Sequence, residues 1–231
     1  MRYGIYFIPG PGSLSDLATS WLGYDILTGK TAMRSEIMTE LVPDLDVLTA
    51  APCRYGFHAT VKAPFRLMPG SSVSQLQEAL EGLCLRLSPV SLPGLTVREI
   101  EGFFCLVPAD DSESVRAMAA KVVQELDSFR APLGDEEWKK RMEKNLTARE
   151  QVHLIRWGYP YTMEDFRFHM SLTGPVAGQT DREEIRKLLE VYLYPACGQP
   201  LQIDALCLVR ELEAGARFEL VRRFAFGGQA A

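Results

Sequence analysis

The chain alternates between short stretches with strand periodicity and longer stretches with helical periodicity. Tyr3–Ile8 is aromatic and β-branched, and the turn residues at positions 9–12 end it, which predicts a first strand. Residues 24–53 show no clear period, and the sequence leaves their conformation open. Alternation and turn signals predict further strands at Phe57–Leu67, Val97–Val107, Phe166–Thr173, Ile203–Val209 and Phe218–Phe226.

Polar residues three positions apart mark the predicted helix starts, because such side chains bind the free backbone amides of a first turn. The pairs are Ser13 with Asp16, Ser72 with Gln75, and Asp181 with Glu184. Beyond the helix that begins at Ser13, the predicted helices are Ser72–Leu87, Ser112–Phe129, the polar stretch Asp135–Trp157 and the segment from Asp181 to Tyr192. No Pro/Gly-rich linker separates these elements, which predicts that the two parts of the chain pack against each other.

Composition and charge narrow the class of protein. The 231 residues include 47% hydrophobic and 24% charged residues, which is typical of a folded globular chain rather than a disordered or coiled-coil one. The formal net charge of −5 argues against a protein that coats nucleic acid, since such proteins carry a basic excess. A small phosphorylated ligand stays compatible, because it needs only local positive groups.

Cysteine usage and the apolar runs indicate the compartment. Five cysteines are scattered without a CxxC pair, which favours reduced thiols over a disulfide framework or a zinc site. The first residues lead into the first strand without a signal-peptide pattern, and no apolar run reaches the ~20 residues of a membrane span. We therefore expect a cytoplasmic protein without a membrane partner.

One segment of the chain is repeated half a chain later. Residues 57–65 align without a gap on residues 168–176, with Phe, His, a hydroxyl residue, an aliphatic residue and Pro in register. Each copy precedes a predicted helix and then a strand, and residues 104–107 resemble residues 206–209. A duplicated strand–helix–strand unit predicts an α+β protein of two pseudo-symmetric lobes, each an antiparallel sheet with helices packed outside, with a central cleft between them.

Both copies carry the pattern H-x-[ST]. Residues two apart on a strand share a face, so His58 lies with Thr60 and His169 with Ser171. If the strands meet, a neutral imidazole can accept a proton from water, a protonated one can donate to a leaving alkoxide, and the hydroxyls can bind phosphate oxygens. Histidine suits both roles because its unperturbed pKa is ~6.5, and no metal or cofactor is required. Either histidine alone would be typical of a hydrogen-bonded strand residue, whereas the matched pair favours catalysis.

The two motif segments resemble the paired signatures of the 2H phosphoesterase superfamily, which includes RNA ligase-like enzymes and 2′,3′-cyclic phosphodiesterases. These segments are Tyr55–Lys62 and Phe166–Leu172. Three strings resemble a bacterial branch encoded beside phosphonate-degradation genes: Arg54–His58, Phe129–Pro132 and Arg156–Tyr161. The resemblance covers most of the chain, from Tyr3 to about Phe226.

This resemblance implies one bilobal domain over residues 1–231, with approximate lobes at 1–110 and 111–231. It implies catalytic roles for His58 and His169, and phosphate-binding roles for Thr60 and Ser171. The expected activity is metal-independent hydrolysis of a small cyclic phosphodiester, with a cyclic ribose phosphate from phosphonate breakdown as the first candidate. An RNA or nucleotide 2′,3′-cyclic phosphate stays open as the substrate, as does a non-catalytic module that binds nucleotides or RNA ends.

Four other residues are weaker candidates for substrate binding. Lys62 lies two residues beyond Thr60, and alternation predicts that it shares the same face. Tyr55 follows Arg54 just before the first motif, and Arg167 lies two residues before the second histidine. Arg130 is a further basic candidate.

Other patterns favour structural interpretations. Residues 28–31 resemble part of a P-loop, but Tyr24 stands where that motif needs glycine, so a loop is favoured. The prolines of positions 9–12 lack the amide donors of a phosphate cradle. The charge-alternating run at residues 136–141 is typical of a solvated helix face. His153 has no hydroxyl partner nearby, and no residue cluster has metal-ligand spacing.

Overall fold

Strands and helices alternate along the described part of the chain, residues 1–143 and 145–228 of this computed structural model. The strands are β1 (Arg2–Phe7), β2 (Tyr24–Asp25), β3 (Lys30–Thr31), β4 (Ala59–Phe65), β5 (Val90–Leu92), β6 (Leu95–Ile100), β7 (Phe103–Pro108), β8 (Met170–Pro175), β9 (Leu201–Ile203), β10 (Ala205–Glu211) and β11 (Glu219–Ala225). The helices are α1 (Ser13–Leu22), α2 (Glu36–Leu41), α3 (Leu45–Cys53), α4 (Val73–Cys84), α5 (Glu113–Glu125), α6 (Asp135–Met142), α7 (Ala148–Trp157) and α8 (Gln179–Cys197).

A central antiparallel sheet places the two motif strands side by side. Within the described residues its seven strands follow the order β11-β10-β1-β4-β8-β7-β6, so β4 and β8 are neighbours at the centre. The predicted α+β class with antiparallel sheet is therefore confirmed. Two short ladders, β2 with β3 and β5 with β9, lie outside this sheet.

The two faces of the sheet have different coverings. Along β1, Ile5 and Phe7 join a large cluster that includes residues of α1, α4, α5 and α8, whereas Tyr6 and Ile8 join a smaller one. Because side chains alternate between the two faces of a strand, one face of the sheet packs against the helices. Trp21 of α1 is fully buried and donates a 2.8 Å hydrogen bond from Nε1 to the carbonyl of Leu172, which ties the helix layer to β8.

Two predicted elements are wrong because each contains a break. The stretch 135–157 is not one helix: Thr147 and Glu150 form a reciprocal capping box, and α7 begins there. Residues 97–107 are not one strand but belong to the hairpin of β6 and β7. Its turn has positive φ angles of 49° at Glu101 and 84° at Gly102, which suit the twist of a tight hairpin.

The predicted helix caps are confirmed in part. Ser72 and Gln75 form the expected capping box, and the Ser112 hydroxyl accepts a hydrogen bond from the α5 amide of residue 115. Ser13 and Asp181 are not caps, because glycines at positions 12 and 178 precede α1 and α8 and both residues lie inside the first turn. No helix in the described ranges has the length and apolarity needed to cross a bilayer.

The elements after the two motifs occur in the same order. A helix and a short strand follow each motif strand, and the equivalent strands pair: β4 with β8, and β5 with β9. Residues 104–107 and 206–209 resemble each other in sequence but do not occupy equivalent positions in the sheet. β7 lies next to the motif strand β8, whereas β1 lies between β10 and the motif strand β4. Next to β4 the sheet continues with β1 of the first half and then β10 and β11 of the second, whereas next to β8 it continues only with β7 and β6 of the first half. The division into lobes at residues 110 and 111 stays a prediction.

Candidate active site

The register of β4 and β8 brings the four motif residues together. Each histidine lies immediately before its strand, and Ala59 pairs with Met170 in an antiparallel ladder. Antiparallel strands advance in opposite directions, so one step on either side places His58 opposite Ser171 and Thr60 opposite His169. The four residues therefore share one region of the sheet, with each histidine across from the hydroxyl residue of the other strand.

Both imidazoles are oriented by the same local hydrogen bond. His58 Nδ1 lies 2.9 Å from the carbonyl of Gly56, and His169 Nδ1 lies 2.8 Å from the carbonyl of Arg167. A carbonyl can only accept, so each Nδ1 carries a proton and each Nε2 is left for chemistry. His58 Nε2 lies 2.9 Å from Thr60 Oγ1, where the hydroxyl donates to it.

A buried tyrosine supports the first histidine. The ring of Tyr6 stacks on the His58 ring with centroids 3.8 Å apart and planes 20° from parallel. Tyr6 is 0% exposed, and it lies over Gly4, where a Cβ would come within 3.0 Å of its ring. The missing side chain of Gly4 therefore lets Tyr6 lie flat along the sheet beneath His58.

The two histidines have different surroundings. Desolvation of the His58 ring lowers its pKa to about 4; the Gly56 carbonyl opposes this shift, and the charge of His169 adds to it. The His169 ring instead lies tilted against the ring of Phe103, with centroids 6.0 Å apart. The two imidazoles thus differ in their aromatic contacts, a stacked Tyr6 for His58 and a tilted Phe103 for His169, which the sequence alone did not indicate.

Two adjoining cavities open at the histidines. A cavity of about 140 Å³ is bordered by Thr60 and His169, and another of about 190 Å³ by His58 and Ser171. Phe103 lines both. The first cavity is rich in aromatic side chains, which are Phe103, Tyr159, Tyr161 and Phe166.

Two of the weaker candidates border these cavities. Tyr55 lines the His58 cavity, with its ring 6.1 Å from the His58 ring. Arg167 lines the His169 cavity, while its carbonyl orients the His169 ring. Their contact with a substrate stays a prediction. Arg54 instead pairs with buried Glu211, beside the pair formed by Arg2.

The expectation that Lys62 shares the face of Thr60 is wrong. Tyr6 pairs with Thr60 but Ile5 pairs with Lys62, so a bulge shifts the register and turns Lys62 toward the helices. Lys62 is buried, and its Nζ donates to Asp127 Oδ1 at 3.1 Å. Burial lowers the pKa of Lys62 to about 8, although Asp127 opposes the shift.

Arg130 is held by protein groups beside Lys62. Its Nε and Nη2 donate to the Asp127 carboxylate at 2.8 and 3.0 Å, and Nη2 also reaches the carbonyl of Arg156 at 3.0 Å. Arg130 and Lys62 both line a small cavity of about 20 Å³, and Tyr159 borders this cavity and that of His169. A role for Arg130 in substrate binding stays a prediction.

Several residues that lie at the site are not predicted from the sequence. Tyr6 was placed on the first strand, but nothing in the sequence indicated that β1 pairs with β4. Tyr159 and Tyr161 follow the predicted helix and reach the site through a loop. In the described part of the chain, no three or more His, Cys, Asp or Glu residues are grouped to hold a metal ion.

Comparison with known families assigns the chain by sequence. It belongs to the family described as "Protein of unknown function (DUF1045)", which matches residues 60–219. The proteins named ribose 1,5-bisphosphate phosphokinase PhnN from Janthinobacterium sp. (strain Marseille) and Laribacter hongkongensis (strain HLHK9) are 36% and 34% identical. The alignments cover 99% and 96% of this chain and 51% of each relative. The chain thus spans about half the length of these curated relatives.

Solved structures with some likeness to this fold include TT0787 of Thermus thermophilus, at 14% identity, 99% coverage of both chains and a TM-score of 0.49. E. coli LigT complexed with 3′-AMP has 11% identity, 98% coverage of both chains and a TM-score of 0.48. A structure described as a phosphoesterase has 11% identity, coverage of 98% of this chain and 99% of its own, and a TM-score of 0.44.

Proposed function

We propose that this protein is a phosphoesterase that hydrolyses a small cyclic phosphodiester, with His58 and His169 as general base and general acid. The observation that carries the proposal is the crossed arrangement on β4 and β8, where each histidine faces a hydroxyl residue of the other strand. A phosphorus atom above these four residues would have imidazoles at two opposite corners and hydroxyls at the other two. This geometry favours in-line displacement, because the attacking and leaving oxygens lie on opposite sides of phosphorus.

The surroundings of His58 support its role as the base. Its Nδ1–H binds the carbonyl of Gly56, so the neutral ring presents an unprotonated Nε2. The lowered pKa of about 4 keeps His58 neutral at pH 7 in the free protein. A bound anionic phosphodiester would stabilise the protonated ring and raise this pKa, which makes His58 a stronger base in the complex.

The proposed reaction needs only water as second reactant. Water gives a proton to His58 Nε2 while its oxygen forms a bond to phosphorus. The bond from phosphorus to one ring oxygen breaks, and His169 gives a proton to that oxygen, which yields a phosphomonoester and a free hydroxyl. Hydrogen bonds from Thr60 and Ser171 would stabilise the charge that grows on the non-bridging oxygens.

A cyclic ribose phosphate is the favoured substrate class. The curated relatives are named for an activity on ribose 1,5-bisphosphate, and this chain matches about half of each. Opening a cyclic phosphodiester on a ribose that carries a second phosphate would give a ribose bisphosphate. A place in phosphonate breakdown, implied by the resemblance of the motif strings, forms part of this proposal.

A nucleotide or RNA end with a 2′,3′-cyclic phosphate is the second candidate. Phe103, Tyr159, Tyr161 and Phe166 line the His169 cavity, and aromatic rings of this kind stack on nucleobases. A module that binds such ends without hydrolysis would use the same rings. Catalysis is therefore the property to measure first.

The test uses the full chain with EDTA in ¹⁸O-enriched water. The panel contains 5-phosphoribose 1,2-cyclic phosphate, 2′,3′-cyclic AMP and an oligoribonucleotide with a 2′,3′-cyclic end. We expect ring opening of at least one compound, with one ¹⁸O atom in the monoester by ³¹P NMR. Turnover that EDTA abolishes would refute the metal-independent mechanism, and tight binding without turnover would identify a binding module.

The pH profile is expected to report the unusual state of His58. As a base, His58 works in its neutral form, so kcat/KM should fall only as the pH drops through about 4 rather than through 6.5. Tyr6→Ala exposes the stacked ring to water and should move the acid limb, and the His58 titration seen by NMR, upward. An acid limb near 6.5 in both proteins would contradict the assignment of His58 as the desolvated base.

A further inference from the structure

We propose that Arg141 binds a second phosphate group of the substrate, in a subsite next to the histidine pair. The inference rests on the proposed function for the nature of the ligand, a small phosphorylated sugar. It concerns a residue of α6 that lies outside the two motifs and within the run at 136–141, which the sequence favoured as a solvated helix face. The run is not uniform: Lys139 and Lys140 are exposed, whereas Arg141 is half-buried.

Arg141 is a cation without a counter-ion in the described residues. Its guanidinium lies over the ring of Tyr159, 5.2 Å from the centroid, and it has no hydrogen bond or ion pair among the residues that the structure describes. Glu137, one turn earlier on α6, is occupied: it accepts hydrogen bonds from Arg66 at 2.6 Å and from the amide of Gly134 at 3.2 Å.

The surroundings of Arg141 carry an excess of positive charge. Burial lowers the pKa of Arg141; Tyr159 and Glu137 oppose this shift, and the charges of Arg2 and Arg130 add to it. Arg2 shares its partner Glu211 with another arginine, and Arg130 shares its partner Asp127 with a lysine. A desolvated guanidinium among other cations is costly, and a bound anion would remove that cost.

The buried hydroxyl of Tyr6 has no hydrogen-bond partner among the described residues and is influenced by some of the same charged groups as Arg141. The pKa of Tyr6 is raised by burial and is affected by the charges of Arg2 and Tyr159, two groups that also affect Arg141. Buried polar atoms are nearly always paired, so this unpaired phenol beneath the His58 ring is an unusual feature of the sheet face that carries the histidines.

Tyr159 connects this subsite to the histidines. Arg141 lies over the ring of Tyr159, and Tyr159 also lines the cavity bordered by Thr60 and His169. A substrate that places its reacting phosphate over the histidine pair would extend past Tyr159 toward Arg141. Phosphate is the favoured anion because the planar guanidinium binds two of its oxygens with a matched fork.

The test measures binding of ribose 5-phosphate, which lacks a cyclic diester, by calorimetry to the full chain. Arg141→Gln is expected to weaken binding by about 10- to 100-fold, the loss of a charge-assisted hydrogen bond. Arg141→Lys should recover part of the affinity, and Lys140→Gln, on the exposed side of α6, should bind like the wild type. The double variant Thr60→Ala/Ser171→Ala should retain the Arg141-dependent binding, because it alters only the other phosphate site.

The outcomes separate this inference from the proposed function. Arg141-dependent binding in a protein that opens no cyclic phosphate would support the subsite and refute the hydrolase. If ribose 5-phosphate does not bind the wild type, or binds Arg141→Gln and Arg141→Lys as tightly, with all variants folded by circular dichroism, the subsite is refuted. For an active enzyme, the preference in kcat/KM for substrates with the second phosphate should also disappear in Arg141→Gln.

Discussion

Replacing His58 or His169 with glutamine is expected to lower kcat/KM for the cyclic phosphodiester by about 10²- to 10⁴-fold. Glutamine is close to histidine in size and can still donate toward the carbonyl that orients each ring, but it cannot transfer a proton near neutral pH. His58→Gln removes the acceptor of the water proton, and His169→Gln removes the donor to the leaving oxygen. Steady-state kinetics on the substrate found in the panel would measure both.

The double variant tests whether the two histidines act in one step. Residues that serve the same transition state show strongly non-additive losses, so the double variant should be only slightly slower than the slower single variant. His153→Gln is the matched control, because His153 is buried on α7 near Glu164 and Asp165 rather than at the cavities. A wild-type rate in either motif variant, or an equal loss in His153→Gln, would contradict the proposed mechanism.

The sequence predicts that the four motif residues lie together, but it does not predict the strand register that sets their relative positions. The repeated H-x-[ST] pattern predicted that His58, Thr60, His169 and Ser171 lie together, and the β4–β8 pairing brings their strands into contact. The crossed order depends on a register that no local preference specifies, since it is set by pairing between residues far apart in the chain. The orienting carbonyls at Gly56 and Arg167 likewise depend on the path of the chain before each strand.

Local irregularities account for the wrong predictions. The bulge in β4 reverses the side on which Lys62 lies, and simple alternation contains no information about it. By contrast, the break before α7 was available in the sequence, because Thr147 and Glu150 have capping-box spacing. The interleaved sheet order could not be read from local patterns, since β10 pairs with β1 across almost the whole chain.

The hydroxyl residues are expected to have large and unequal effects. Thr60→Val should lower kcat by about 10²- to 10³-fold, the usual loss when a donor to developing charge is removed. It also leaves His58 Nε2 without the hydroxyl that now lies 2.9 Å away. Ser171→Ala removes a hydroxyl that has no side-chain hydrogen bond within the described ranges, so its loss should fall on kcat, with KM and the free energy of unfolding little changed.

Rescue and stability measurements decide whether these losses are catalytic. Thr60→Ser keeps the hydroxyl and should restore most of the rate, since the second motif carries serine at the equivalent position. Urea unfolding of each variant would show whether the sheet is intact, because Thr60 and Ser171 border the cavities rather than the hydrophobic clusters. If Thr60→Ser were as slow as Thr60→Val, or if Ser171→Ala raised KM alone, these hydroxyls would not stabilise charge in the transition state. Thr60 and Ser171 would then contribute only to packing or to substrate binding, and their position opposite the two histidines would not be evidence for catalysis.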